Sequence, residues 1–326
     1  MNWTRRDLSK WLAVGGAMGA MGLGSLRPAL AAKLEDASIL AAASTGGGYD
    51  TLARTAQTIL QDREIIGNVE VANVPGAGGT VGLAQFVNAA RRDQLLTAGL
   101  GMVGAVAINK SPVTLADVTP VARLQGEYQP LVVAAASPLK TLDDLLAMYR
   151  ENPGSVSWGG FGLGSPDHFV SALVIKASGN DVSKMNYIVV GAGSEMLPLV
   201  LTNRVTVATG GYGEFADLIK TGALRALGIS SPQRLPGVDI PTFREQGVAT
   251  DLVNWRGFMG APGLAGADLA ALDEAMGEMA RSDQWNEVCR TRGWENLYMN
   301  AAEFGTFLTA EQARIGALLQ ELGLAT

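Results

Sequence analysis

Ala37-Ser38-Ile39-Leu40-Ala41-Ala42-Ala43-Ser44-Thr45-Gly46-Gly47-Gly48-Tyr49-Asp50 carries an apolar run into three consecutive glycines, and Val69-Glu70-Val71-Ala72-Asn73-Val74-Pro75-Gly76-Ala77-Gly78-Gly79-Thr80 repeats the arrangement. Each predicts a buried strand, over residues 37–43 and 69–74, broken by glycine and followed by a helix. The first helix is expected over 49–60, with Leu52, Ala53, Ala56, Ile59 and Leu60 on one face and Asp50 one turn from Arg54, close enough to pair. The second is expected over 80–90. Strand-to-helix turns are where open α/β sheets bind ligands. Glycine lets the backbone take positive φ and come close to a ligand, and the first amides of the next helix have no intrahelical acceptor. Aided by the helix dipole, such amides hold an anion without a formal positive charge. A tight connection without ligand explains either turn alone; two in succession favour a binding site.

Neither turn fits a nucleotide motif. The second has glycines at 76, 78, 79 and 82, no acidic residue closes a strand at the expected distance, and no lysine occupies a Walker position. Further strands are expected at 95–100, 131–135, 156–158, 187–190, 205–209, 224–229 and 258–261. Helices are expected at 142–150, 169–178, 194–202 and 215–221, with a helical tail at 267–279, 283–292 and 301–322. This alternation predicts an α/β protein on open sheets.

Thr4-Arg5-Arg6-Asp7-Leu8-Ser9-Lys10 precedes a glycine- and alanine-rich apolar run at 11–23, and Ala29-Leu30-Ala31 follows. That is the pattern of an export signal cleaved after Ala31, and the paired arginines are similar to a twin-arginine signal, which places the mature chain in the periplasm. The run is shorter than the ~20 residues of a membrane span. Removing residues 1–31 takes four positive charges and one negative from a net charge of −6, leaving −9. An acidic chain without clustered Lys and Arg is not a nucleic-acid binder. The single cysteine, Cys289, forms no intramolecular disulfide, and the single histidine, His168, supplies no zinc spacing, so neither metal nor cofactor is expected. The remaining length exceeds what one core usually serves, which predicts two lobes.

Several segments, in order, resemble the extracytoplasmic receptors of tripartite tricarboxylate transporters, the TctC or Bug family. They are Gly46-Gly47-Gly48-Tyr49-Asp50-Thr51-Leu52-Ala53-Arg54, then Asn73-Val74-Pro75-Gly76-Ala77-Gly78-Gly79 with Gly82, then Asp117-Val118-Thr119-Pro120-Val121-Ala122. Gly164-Ser165-Pro166-Asp167-His168 resembles the family's Gly-Ser-x-x-His turn. Gly222-Ala223-Leu224-Arg225-Ala226-Leu227, Arg234, Pro241-Thr242-Phe243-Arg244-Glu245-Gln246-Gly247, Trp255-Arg256-Gly257-Phe258 and Ala261-Pro262 complete the series. The resemblance implies an α/β, type II periplasmic-binding-protein fold: two lobes with open sheets joined by two crossing strands, lobe 1 at 34–122 plus 240–326 and lobe 2 at 123–239. It implies a monomer that binds a small organic acid, a mono-, di- or tricarboxylate, between the lobes and serves the large and small membrane subunits of a transporter. The glycine loops would hold one carboxylate through Gly46, Gly47, Gly48, Gly76, Ala77, Gly78 and Gly79. Ser165, His168, Gly193, Thr209 and Gly210 would face them from the other lobe, with hinges near Gln125 and Leu227.

The chain departs from that pattern in places. Ser44 and Thr45 stand where a proline usually precedes the first glycine run, and their hydroxyls add possible donors. A family lysine and aspartate are replaced at Tyr187-Ile188-Val189-Val190-Gly191 and Thr209-Gly210-Gly211-Tyr212, which suggests a less polar second end to the ligand, beside Tyr212 or Phe161. No catalytic residue is expected: Ser165 reads as a helix cap or ligand donor rather than a nucleophile. Trp158 and Trp255 read as core, and Arg54 and Arg225 as structural, although either could grip a carboxylate if it faced the cleft. A sensor that presents bound solute to a membrane signalling protein would share the same cleft and stays open as an alternative.

Overall fold

The computed structural model describes residues 34–190 and 193–324; the expected signal at 1–31 lies outside them. The strand-glycine-helix reading is realised twice. β1 (Asp36–Ala41) leads into α1 (Gly48–Asp62), and β2 (Asn68–Asn73) leads into α2 (Thr80–Ala89). Leu52, Ala53, Ala56, Ile59 and Leu60 of α1 are buried on one face, the larger side chains contributing about 1.5–3 kcal/mol each. β3 (Gln94–Gly99), α3 (Leu100–Ile108) and β4 (Thr119–Glu127) follow. Together with β10 (Asn254–Gly260) and β11 (Glu295–Met299) they form a six-stranded sheet in the order β11-β4-β10-β3-β1-β2. β1 runs parallel to β2 and β3, whereas β10 is antiparallel to β3 and β4.

The chain leaves this sheet after Glu127 and enters a second at Pro130. There β5 (Pro130–Ala134), β6 (Ser157–Phe161), β7 (Asn186–Val190), β8 (Val207–Thr209) and β9 (Leu224–Ile229) take the order β7-β6-β8-β5-β9. Its helices are α4 (Leu142–Glu151), α5 (Pro166–Ala177), α6 (Gly193–Leu201) and α7 (Tyr212–Lys220). The return runs through 230–253, and the chain ends in α8 (Gly266–Arg281), α9 (Asp283–Arg292), β11 and α10 (Ala301–Glu321). Two α/β sheets joined by two crossings is the architecture expected. Ser230 stitches the crossings together: its Oγ accepts the Gln129 N–H at 2.9 Å and donates to the Leu252 carbonyl at 2.6 Å. The boundary anticipated between 122 and 123 falls inside β4, and the hinge positions Gln125 and Leu227 lie within β4 and β9, just short of where the chain leaves each sheet.

Three elements have no counterpart in the sequence reading: α3, β4 and β11. In β4, Arg123 and Gln125 interrupt the apolar run, yet both are buried. Arg123 keeps its charge solvated by donating to the Leu297 carbonyl at 2.9 Å and lying over the Phe307 ring. Helix α3, Leu-Gly-Met-Val-Gly-Ala-Val-Ala-Ile, has no polar face to give it a period, because it is packed on several sides. One apolar core runs from Leu83, Phe86 and Met102 beside the first sheet to Trp158, Phe169 and Ile175 beside the second. Trp158 and Trp255 are fully buried in it, as expected.

Candidate functional site

The first glycine loop is organised by Asp50, in the first turn of α1. Its carboxylate accepts the Gly46 N–H at 2.8 Å, Arg54 Nε at 2.9 Å and Asn73 Nδ2 at 2.8 Å. Asn73 Nδ2 also donates to the Ala43 carbonyl, so the end of β2 is tied to the start of the first loop. Burial alone would raise the Asp50 carboxyl; the donors from Gly46, Asn73 and Arg54 outweigh it and hold the group below its ordinary value. The pairing read between Asp50 and Arg54 is thus present, and it serves the loop.

The second loop requires its glycines. Gly76, Gly78 and Gly79 have φ of 133°, 65° and 96°, a region that side chains with a Cβ rarely enter. Gly78 and Gly79 also leave no room: a Cβ would fall 2.5 Å from the Ala105 Cβ at the former and 2.8 Å from Met102 Cε at the latter. Helices α1, α2 and α7 all start behind glycines, Gly47, Gly79 and Gly211, which bring no capping oxygen. Helices α4 and α10, away from the cleft, close with capping boxes at Thr141/Asp144 and Asn300/Glu303. The starts of α1 and α2 at the cleft therefore carry no side-chain cap, whereas α7 ties its Tyr212 N–H to the Tyr128 carbonyl at 3.0 Å and α5 is capped by Ser165.

Three adjoining cavities lie between the sheets. One of about 520 Å³ joins Ser44 and Gly76–Gly79 to Gly162, Leu163, Gly164 and Ser165 from the opposite sheet. A central one of about 240 Å³ shares Ala43, Tyr49, Gly101 and Ser165 with it, and adds Glu127, Gln129, Asp167, Glu214 and Arg256. An outer one of about 760 Å³ reaches from Gly46 and Gly48 to Gly211, Gly213 and α9. Of the residues expected at a site, Ser44, Gly46, Gly48, Gly76, Ala77, Gly78, Gly79 and Ser165 line these cavities. Thr45, Gly47, His168, Thr209 and Gly210 do not.

His168 is turned into the protein. Its Nδ1 accepts the Gly164 N–H at 3.0 Å, its ring lies 4.4 Å from Tyr187, and burial pushes its pKa down to about 4. It is therefore neutral near pH 7 and positions the Gly162–Ser165 turn rather than offering a cation. Ser165 Oγ accepts the His168 N–H at 3.3 Å, the N-cap of α5. Thr209 is buried, its hydroxyl without a protein partner. Arg225 faces away from the cleft, donating to the Leu139 and Ala135 carbonyls.

The charged floor of the cleft was not legible in the sequence. Arg256 on β10 packs its guanidinium over Gly48, where a Cβ would lie 2.8 Å from Nη2, and Nη1 donates to Glu127 Oε1 at 2.6 Å. Burial opposes the arginine's charge, yet Glu127 outweighs it and the pKa stands above the ordinary value. Asp167 accepts the Phe161 N–H at 2.9 Å and a hydrogen bond from Gln129 Nε2. Burial pushes Asp167 up to about 7, with the charges of Glu214 and Glu127 adding to it against those two hydrogen bonds. Glu214, standing in the cleft at the first turn of α7, is also raised by desolvation there and by Glu127. Tyr49 lines both the second-loop cavity and the central one; its hydroxyl accepts the Met102 N–H at 3.1 Å, and burial pushes it up to about 12. Asp167 and Arg256 sit inside segments quoted above for their family resemblance. Glu127 and Glu214 carry no local signal, since only the fold brings β4 and α7 together.

The profile of the family described as "TctC: Tripartite tricarboxylate transporter family receptor" matches residues 52–324. A protein of Cupriavidus necator, from the gbd 5′ region, is 27% identical over 293 residues, covering 87% of this chain and 85% of its own. A TctC solute-binding protein from Polaromonas superposes with a TM-score of 0.75 at 23% identity, over 88% of this chain and 99% of its own. A protein of R. palustris, solved with adipate, superposes with a TM-score of 0.74 at 22% identity, over 89% of this chain and 98% of its own.

Proposed function

Since the chain belongs to the tripartite tricarboxylate transporter receptor family, we propose that it captures a small organic carboxylate between its sheets and passes it to the large and small membrane subunits of such a transporter. The observation that carries this reading is the cavity in which Gly76–Gly79 faces the Gly162–Ser165 turn across the cleft. Backbone amides at uncapped helix starts supply an anion site there with no cation required. The adipate held by the R. palustris protein of like fold, a carboxylate, supports the same ligand class. We place the carboxylate at Ser44, Gly46, Gly48, Gly76–Gly79 and Ser165, with lobes that close on it about residues 128–129 and 230–253. Residues 1–31 fit an export signal, which puts capture in the periplasm. Among the described residues no helix is long and apolar enough to cross a membrane.

The test is titration calorimetry of protein freed of retained ligand by unfolding and refolding, against mono-, di- and tricarboxylates, beside Gly78→Val. The variant forces a side chain into a φ of 65° and against Ala105, so it should lose carboxylate binding while circular dichroism shows the fold kept. A folded Gly78→Val that binds carboxylate as the parent does would sink this placement.

A further inference from the structure

We infer that the floor of the cleft takes a protonated amine, so that the ligand is an amino-carboxylate, held by its carboxylate at the glycine loops and by its ammonium between Glu127, Glu214 and Gln129. This rests on the carboxylate reading above and narrows it. The central cavity sets three carboxylates, Glu127, Asp167 and Glu214, against one guanidinium, Arg256. That guanidinium is already bound by Glu127 at 2.6 Å. In a confined space of low effective dielectric, such an excess of acid repels a second ligand carboxylate and attracts a cation. Protonation of Asp167 does not reverse the balance, because Glu127 and Glu214 still outnumber Arg256. The outer cavity adds Glu287 and Arg292, one of each sign.

A second observation is independent of charge. Gln129 lines the central cavity, is 1% exposed, and gives its Nε2 hydrogen bond to Asp167, while its Oε1 has no partner. A buried amide oxygen left without a donor is costly, and an N–H of the ligand would satisfy it. A metal ion does not meet the same need: among the described residues, no group of three acidic, histidine or cysteine side chains is placed to hold one, and metals require converging ligands. The carboxylate and the ammonium belong to one molecule because the cavity of the second glycine loop and the central cavity adjoin along Ala43, Tyr49, Gly101 and Ser165.

The experiment is titration calorimetry of the refolded protein with matched sets differing only at the far end: ω-amino acids of three to six carbons, the dicarboxylates and monocarboxylates of the same lengths, and the corresponding alkylamines, alongside α-amino acids. The best amino-carboxylate should bind at least about tenfold tighter than its dicarboxylate counterpart, and Glu214→Gln should remove about tenfold of that affinity while moving the monocarboxylate far less. Dicarboxylates binding tighter at every length would overturn the amine site and leave the carboxylate reading standing. Alkylamines binding as well as the amino acids would overturn the joint site and the carboxylate reading while keeping a cation at the floor. An inert panel would overturn both.

Discussion

A Cβ built on Gly104 of α3 would lie 2.1 Å from the carbonyl oxygen of Gly164, and 2.8 Å from the Phe169 ring beyond it. Helix α3 is flanked by the first sheet, and Gly164 belongs to the turn between β6 and α5 of the second, so two backbones meet across the cleft with no side chain between them. Gly101 sits on the same side of α3, where a Cβ would be 3.7 Å from Pro166 Cδ.

Gly104→Ala therefore tests closure. Alanine favours the helix by about 1 kcal/mol over glycine, but the added methyl has to push the Gly164 turn away. The variant should fold, show a larger radius of gyration in small-angle scattering, and bind carboxylate more weakly. A variant as compact as the parent and of equal affinity would show that the contact at Gly104 does not limit closure.

Asp50→Asn tests the organisation of the glycine loops. The substitution keeps the shape but replaces a carboxylate that accepts from Gly46, Arg54 and Asn73. Loss of charge-assisted hydrogen bonds at a buried position should cost about 2 kcal/mol of stability, read by denaturant unfolding. Affinity should fall too, because the Gly46 loop and the end of β2 lose their shared acceptor. Unchanged affinity in the folded variant would mean that the loops hold their shape without it.

Asp167 and His168 should tilt stability with pH in opposite senses. Asp167 stands at about 7 against an ordinary 3.8, so the folded state keeps a proton that the unfolded chain has released. Its contribution is full below about pH 4 and is lost as pH rises through about 7. His168 stands at about 4 against 6.5, so its contribution is full above about pH 6.5 and is lost as pH falls through about 4. Between those limits the two slopes oppose each other. Melting temperature should rise with pH across that window in Asp167→Asn and fall with pH in His168→Gln. Parallel profiles in the two variants would contradict the assignment.

Export is tested by Arg5→Lys with Arg6→Lys. A signal read through its paired arginines should leave the precursor in the cytoplasm, scored by fractionation and immunoblot. Undiminished export of the double variant would remove the twin-arginine reading and leave the receptor reading untouched.

The sequence by itself determined the architecture and the two glycine loops that line the cleft. Apolar runs broken at Gly46-Gly47-Gly48 and Gly76-Ala77-Gly78-Gly79 specify strand, turn and helix locally, because only glycine takes φ of 65° to 133° without strain. The ordered segments between them and Ala261-Pro262 carried the family resemblance. Tertiary structure decided the rest. Helix α3 has no period to read because its sequence holds no polar residue to mark an outer face, and β4 hides behind Arg123 and Gln125, whose burial only neighbouring strands and rings make tolerable. His168, within a quoted motif, turned out to hold the Gly164 turn rather than line a cavity, since burial keeps it neutral. Glu127, Asp167, Glu214 and Arg256 come from four different elements. Their charges act on one another only because the crossings at 128–129 and 230–253 fold the two sheets face to face, and no spacing along the chain encodes that distance.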